Sequence, residues 1–398
     1  MRPAPTAAAP PPAHPEPVRL DATRFVRSFV DGDQLFVVDR AGGAVAGDTL
    51  AAYRLPSGER QWRIPVPVDP LGLRRGQFGH RFAGDSLLIS SLDSTGVVRT
   101  VAVGTGDGRL RWRADGQVIG VSTDGAVVLR GMDAVVGTGQ SPEAGDGLWL
   151  RAVEADSGQP RWYAPAAGGF DVVRWVDGRL AQVIQVDPQR QVRVLDAATG
   201  RAVAAGALPA RLAPEYGWAA HDLLVLTAGG SVTAVELDGL AARWSVLAPR
   251  VSYVIACGAL ICLNDAEQGM WALDPADGAT RWAHGDRYAV ESSGPYLLTA
   301  PGRDEPSSHR IVVDPATGEQ VAPGSGRWSV LAVDADGWLA QWSDPGAAEA
   351  WVARITADGS TPRVLLHLRE GVAACQAGPA AVVCRRADGS LGIWALPD

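Results

Sequence analysis

Short apolar runs alternate with turns bearing Gly, Asp or Ser from about residue 25 to the end of the chain. The runs are four to six residues long, too short for the i, i+3, i+4, i+7 spacing of an amphipathic helix. Taken in pairs across a tight turn they predict β-hairpins. The pairs are FVDGDQLFVV at Gly32, FAGDSLLIS at Gly84, STDGAVVL at Gly125, WVDGRLAQV at Gly178 and AAHDLLVL at Asp222. They continue with ACGALICL at Gly258, SSGPYLL at Gly294, VDADGWLA at Gly337 and QAGPAAVV at Gly378.

A second pattern lies between these hairpins. It is a strand, a turn ending in Gly, and often a Trp four residues later. It reads LPSGERQW at Trp62, GTGDGRLRW at Trp112, EADSGQPRW at Trp162 and DPADGATRW at Trp282, and ELDGLAARW carries its Trp one place late, at Trp244. Copies without the Trp are LDAATGRAVA, VDPATGEQVA and TADGSTPRV. The turn glycines are Gly58, Gly108, Gly158, Gly200, Gly239, Gly278, Gly318 and Gly359, in steps of 50, 50, 42, 39, 39, 40 and 41 residues. A strand-rich period of about 40 to 50 residues is the signature of a β-propeller. With strands A to D in each unit, the hairpins are A–B and the Gly turns are C–D.

Nine A–B hairpins stand against eight complete C–D turns. The ninth unit ends in SLGIWALPD, which matches a third strand (compare MWALDP, Met270 to Pro275) and stops before its turn. The segment VRLDAT, residues 18–23, can supply the missing fourth strand and so leave no long open edge. The expectation is an all-β chain forming a single closed β-propeller of nine four-stranded antiparallel blades over residues 18–398. Eight blades is the alternative, if one hairpin is spurious. Residues 1–17, rich in Pro and Ala, read as a disordered linker. The stretch Asp133 to Asp146 reads as an extended B–C loop and is the best single candidate for a contact surface.

The turn residues have a physical basis. Asp, Ser or Thr accepts backbone N–H bonds, Gly takes positive φ without a Cβ clash, and Pro275 and Pro315 preset φ. A Trp on strand D can fill the wedge between diverging blades, so Trp62, Trp112, Trp162, Trp244 and Trp282 read as structural.

The pattern A-x-D-x-x-T/S-G-x-x-x-W resembles the tryptophan-docking repeat of the propellers similar to pyrroloquinoline-quinone (PQQ) dehydrogenases. Ala272, Asp274, Gly278 and Trp282 match it best, with Asp277 at the Thr/Ser position. The resemblance covers about residues 25 to 398. It implies the fold, and a family that holds quinone-dependent dehydrogenases, a non-catalytic outer-membrane assembly scaffold and surface proteins. The family's enzymes carry an adjacent Cys-Cys disulfide and a Ca²⁺ bound by Glu, Asn and Asp. This chain has no Cys-Cys pair, and its single Asn is Asn264. No loop concentrates the six to eight oxygens that Ca²⁺ takes. The acidic turns Asp31 to Asp33 and Asp334 to Gly337 sit where Asp-Gly is expected for backbone reasons.

Composition narrows the partners. The net charge is -8, and all 36 cationic residues are Arg. An acidic balance argues against nucleic acid or an anionic membrane surface. No run of about 18 apolar residues is present to span a membrane. The four cysteines form two local pairs, Cys257 with Cys262 and Cys375 with Cys384, each flanking an A–B turn. They read either as two disulfides in an oxidising compartment or as four buried thiols. The six histidines are scattered, and no GxSxG or P-loop occurs. The sequence therefore leads to a non-catalytic binding or scaffold module, secreted or at the cell surface, with no catalytic, cofactor or metal residues assigned. Its start is equally consistent with a chain trimmed of an upstream signal or anchor. The partner would be an unknown protein or small molecule on the loop faces. A quinoprotein-like or other channel-site enzyme, and an envelope assembly scaffold, are the alternatives.

Overall fold

The computed structural model describes residues 16–20, 25–39, 48–68, 78–132, 148–165, 167, 169–210, 212–293, 296–301, 311–321, 328–334, 337–344, 349–356, 362–369 and 371–397. Residues 1–15, most of the stretch read as a linker, and the loop Asp133 to Asp146 lie outside the described residues. So do Gly294 and Gly359.

Thirty-five strands and no helix are found among the described residues. They form nine antiparallel sheets, and the fold is a nine-bladed β-propeller. In eight sheets each strand pairs with its sequence neighbours, as in Phe25–Asp31, Gln34–Asp39, Thr49–Arg54 and Arg60–Pro65 of the first blade. The seventh shows three described strands, and Gln320 bridges Val313 where a fourth would begin. The ninth is completed from the start of the chain. Val18–Leu20 pairs antiparallel with Leu391–Ala395, in the register Val18 to Ile393 and Leu20 to Leu391. All nine hairpins of the sequence pattern are present, and the eight-blade alternative is excluded.

The chain divides into two compact units. One holds residues 1–66 and 284–398, with blades one, seven, eight and nine. The other holds residues 67–283, with blades two to six. Within each unit the core is a series of layers between consecutive blades. Val172, Ile184 and Val194 of blade four meet Leu224, Leu226 and Val235 of blade five. Val383, Leu391 and Ile393 of blade nine meet Leu35 and Val37 of blade one. The B strands are buried on both faces, so they read as unbroken apolar runs such as Leu35 to Val38 and Leu223 to Leu226. Each fully buried Leu or Val contributes about 1.5–3 kcal/mol over its exposed state.

The turn tryptophans lie in these seams. Trp112 packs on Gly158 of the next blade, Trp162 on Gly200 and Trp244 on Gly278. Each indole Nε1 also donates to a carbonyl in the facing turn: Trp112 to Ala155 at 2.6 Å, Trp162 to Ala197 at 3.1 Å, Trp244 to Pro275 at 2.9 Å. Trp62 is buried on the first blade, its ring centroid 6.0 Å from Phe36. Trp282, on Thr280–His284, is half-buried.

Two local features differ from the sequence pattern. In ELDGLAARW the left-handed position is taken by Leu240 (φ 53°), not Gly239, and Leu240 N–H donates to Glu236 as Gly58 N–H does to Arg54. The turn is thus displaced by one residue, and Trp244 pairs with Ala234 just as Trp112 pairs with Ala102. The aspartates of several A–B turns also do more than shape the backbone. Asp85, Asp124 and Asp222 each pair with the arginine before the blade's Trp: Arg111, Arg161 and Arg243. These pairs are exposed and worth less than about 1 kcal/mol each.

Candidate functional site

The 67–283 unit carries a groove of about 460 Å³ built by three successive blades. Blade two supplies His80, Arg81 and Phe82 from its A strand, Phe78–Ala83. Blade three supplies Val121, at the end of Gln117–Val121. Blade four supplies Trp175, Gly178 and Arg179 from its A–B hairpin.

Local backbone features bring these side chains together. The Phe170–Val176 strand has a register shift between Arg174 and Trp175, and such bulges re-aim the side chain beside them. Asp177 (φ 49°) and Gly178 (φ 72°) then reverse the chain. Gly120 of the third blade leaves the gap that Trp175 crosses. A β-carbon there would lie 2.9 Å from both Trp175 Cη2 and Leu180 Cβ. A parallel bridge between Ser122 and Leu180 ties the two blades at this point. Through the gap, the Trp175 ring reaches Arg81, whose guanidinium carbon stands 5.0 Å from the ring centroid. His80 and Phe82 meet edge to face at 6.1 Å.

The electrostatics follow from this packing. Partial desolvation lowers the Arg81 pKa below its ordinary value, although the residue as a whole stays exposed. An Arg remains a cation regardless. A guanidinium held over an indole is attracted by the ring and keeps its outer N–H donors for an acceptor. Arg179 adds a second cation, and among the described residues no carboxylate lines the groove. In a chain of net charge -8 this is a local positive, aromatic-backed surface. It can bind carboxylates and the apolar groups beside them.

The cysteines are joined as Cys257–Cys262, with S–S 2.05 Å, and Cys375–Cys384, with S–S 2.09 Å. Neither pair lines the groove. Asn264 is buried within its blade, its carbonyl accepting from Ser252. Among the described residues no three His, Cys, Asp or Glu side chains converge on a common point. The Ca²⁺ of the enzymes named above thus finds no matching donor set among the described residues. Nothing in the sequence singled out Arg81 or Trp175. Their meeting depends on a bulge and a missing side chain in a third blade.

No family model matches the chain, and no curated protein matches it. Solved structures do align with it. BamB from Moraxella catarrhalis is 12% identical over 96% of this chain and 97% of that one, with a TM-score of 0.41. The computationally designed Ika8 protein is 14% identical over 79% and 95%, with a TM-score of 0.49. A europium-containing methanol dehydrogenase is 12% identical over 93% and 84%, with a TM-score of 0.45. At these identities and scores the similarities assign no activity.

Proposed function

We propose that the chain is a non-catalytic binding module of an oxidising, extracytoplasmic compartment. Its groove in the 67–283 unit takes an acidic segment of a partner protein. The observation that carries this reading is Arg81 stacked on Trp175 in a groove lined by a second arginine and, among the described residues, by no acid. Carboxylates of the segment would pair with Arg81 and Arg179, and an apolar side chain beside them would lie on Phe82 and the Trp175 edge. Two disulfides in the chain support the compartment, because such bonds persist where the surroundings are oxidising.

The test is fluorescence anisotropy with a labelled peptide of alternating Glu and Leu, compared with its Gln–Leu counterpart. The acidic peptide should bind, and Arg81→Ala or Trp175→Ala should each weaken it about tenfold, equivalent to about 1.4 kcal/mol. Affinity should also fall with salt. Equal binding of the Gln–Leu peptide, or no loss in either variant, would overturn the reading. So would reduction of a redox dye by the chain loaded with quinone and Ca²⁺.

A further inference from the structure

The seam between blades nine and one departs from those that hold an indole. Gly58 of the first C–D turn faces Val18, whose Cγ1 lies 2.4 Å from the point a β-carbon would occupy. The short strand from the chain start thus brings a valine where Gly158, Gly200 and Gly278 each meet a Trp. On the same blade-one face lies a cavity of about 200 Å³.

Its chemistry can be read off the strand register. Three rungs succeed each other along Thr49–Arg54: Thr49 opposite Asp39, Ala51 opposite Val37 and Arg63, and Tyr53 opposite Arg60. Rungs on one face are about 7 Å apart. Ala51 and Val37 of the middle rung form, with Leu20, an apolar floor, and Arg19 and Arg63 line the cavity beside it. At one end stand Tyr53 and Arg60, at the other Asp39 and Thr49, with Arg63 leaning toward Thr49 through an Nε–Oγ1 bond of 3.2 Å.

Two groups here are short of partners. Arg60, at the register position that Leu110 and Pro160 hold in blades two and three, has no carboxylate partner among the described residues. Asp39 Oδ1 is buried without a hydrogen-bond donor among the described residues. A buried acceptor left unpaired costs about 1–3 kcal/mol, more if charged. Burial raises the Tyr53 pKa against the opposing pull of Arg60 and Arg63, so its hydroxyl is a neutral donor. The cavity thus offers N–H and O–H donors at one end and a carboxylate wanting a donor at the other.

We propose that this cavity is a binding site for a small carboxylate that also carries an amino or hydroxyl donor, an amino or hydroxy acid in size. The carboxylate accepts from Arg60 and the Tyr53 hydroxyl, and the amine or hydroxyl donates to Asp39. A volume of about 200 Å³ admits a molecule of this size. The site lies in the other unit from the peptide groove and stands or falls independently of it.

Calorimetry on the full chain tests the proposal with three probes: L-serine, acetate and inorganic phosphate. L-serine should bind, and acetate, lacking the donor, should bind at least about tenfold more weakly. Arg60→Ala should weaken serine about tenfold. Asp39→Asn should bring serine and acetate within about threefold of each other, since its amide can donate as well as accept. Melting curves of both variants establish that they are folded. No heat from L-serine at about 10 mM overturns the site. Equal or tighter binding of acetate or phosphate overturns the donor requirement, and unchanged affinity in a folded Arg60→Ala protein overturns the assigned geometry.

Discussion

Trp112 lies so closely over Gly158 that a β-carbon on the glycine would sit 2.6 Å from the indole Cγ. The glycine is also left-handed, at φ 69°. Both facts forbid a side chain at the same position. Gly158→Ala should therefore destabilise the chain by more than the ~1–2 kcal/mol of left-handed strain alone. Trp112→Ala should cost about 3–5 kcal/mol, as for other buried aromatics. The double variant should be clearly less destabilised than the sum, because the clash disappears with the indole. Urea denaturation of the four proteins measures this, and strict additivity would show that the contact does not couple the blades.

The two disulfides close loops of 5 and 9 residues. Loop-closure entropy gives each about 2–3 kcal/mol. Replacing either pair by Ala should lower the urea midpoint by the corresponding amount. Thiol titration of the unreduced, denatured protein should find no reactive cysteine. Four titratable thiols would refute both bonds.

Asp171 sits almost wholly buried on blade four, 3.2 Å from the Arg130 guanidinium of blade three. Burial raises its pKa, and the attraction of Arg130 offsets this only in part. A raised folded-state pKa means that the native chain holds a proton the unfolded chain has released. Stability owed to this group is thus lost as pH rises from the unfolded value of 3.8 through the folded pKa. Relative to Asp171→Asn, the native protein should gain stability as pH falls through that window and show a constant deficit above it. Denaturation of both proteins between about pH 4 and 7 reads the difference, and a rise with pH would reverse the assignment.

Leu240 and Ala374 both hold positive φ, at 53° and 49°. Their replacement by Gly should have opposite signs. Ala374 is exposed, so only the left-handed strain of about 1–2 kcal/mol is relieved, less the added freedom of the unfolded chain. A net gain of about 0.5–1 kcal/mol is expected. Leu240 is buried among Val192, Val194 and Leu237, and losing it should cost about 2–5 kcal/mol, well above the relief. Melting temperatures of the two variants distinguish the cases.

The blades were readable because each rests on local chemistry that repeats: an apolar pair, a turn glycine, a fixed spacing. Even the completing strand was legible, since the ninth unit lacks a fourth strand and VRLDAT, around Val18, fits. The displaced turn at Leu240 was not, because a left-handed Leu violates the preference that marks such turns. The groove was illegible for a different reason. Arg81 and Trp175 lie in different blades, and the glycine that lets them meet lies in a third. No local pattern encodes that meeting, and the same holds for the Asp39 and Arg60 cavity.

Arg19 pairs with Asp388 across 369 residues of sequence, and Gln376 donates to Ser28 across 348. A ribosome adding about 5–20 residues per second takes roughly 20–75 s to make that much chain. Throughout this interval the blade-one face bearing Leu35 and Val37 has been made while the ninth blade that covers it has not. Val18–Leu20 waits as well, as a free strand beside an uncovered apolar surface. The nascent protein thus carries an uncovered blade-one face and an unpaired Val18–Leu20 strand until Leu391–Ala395 has been made.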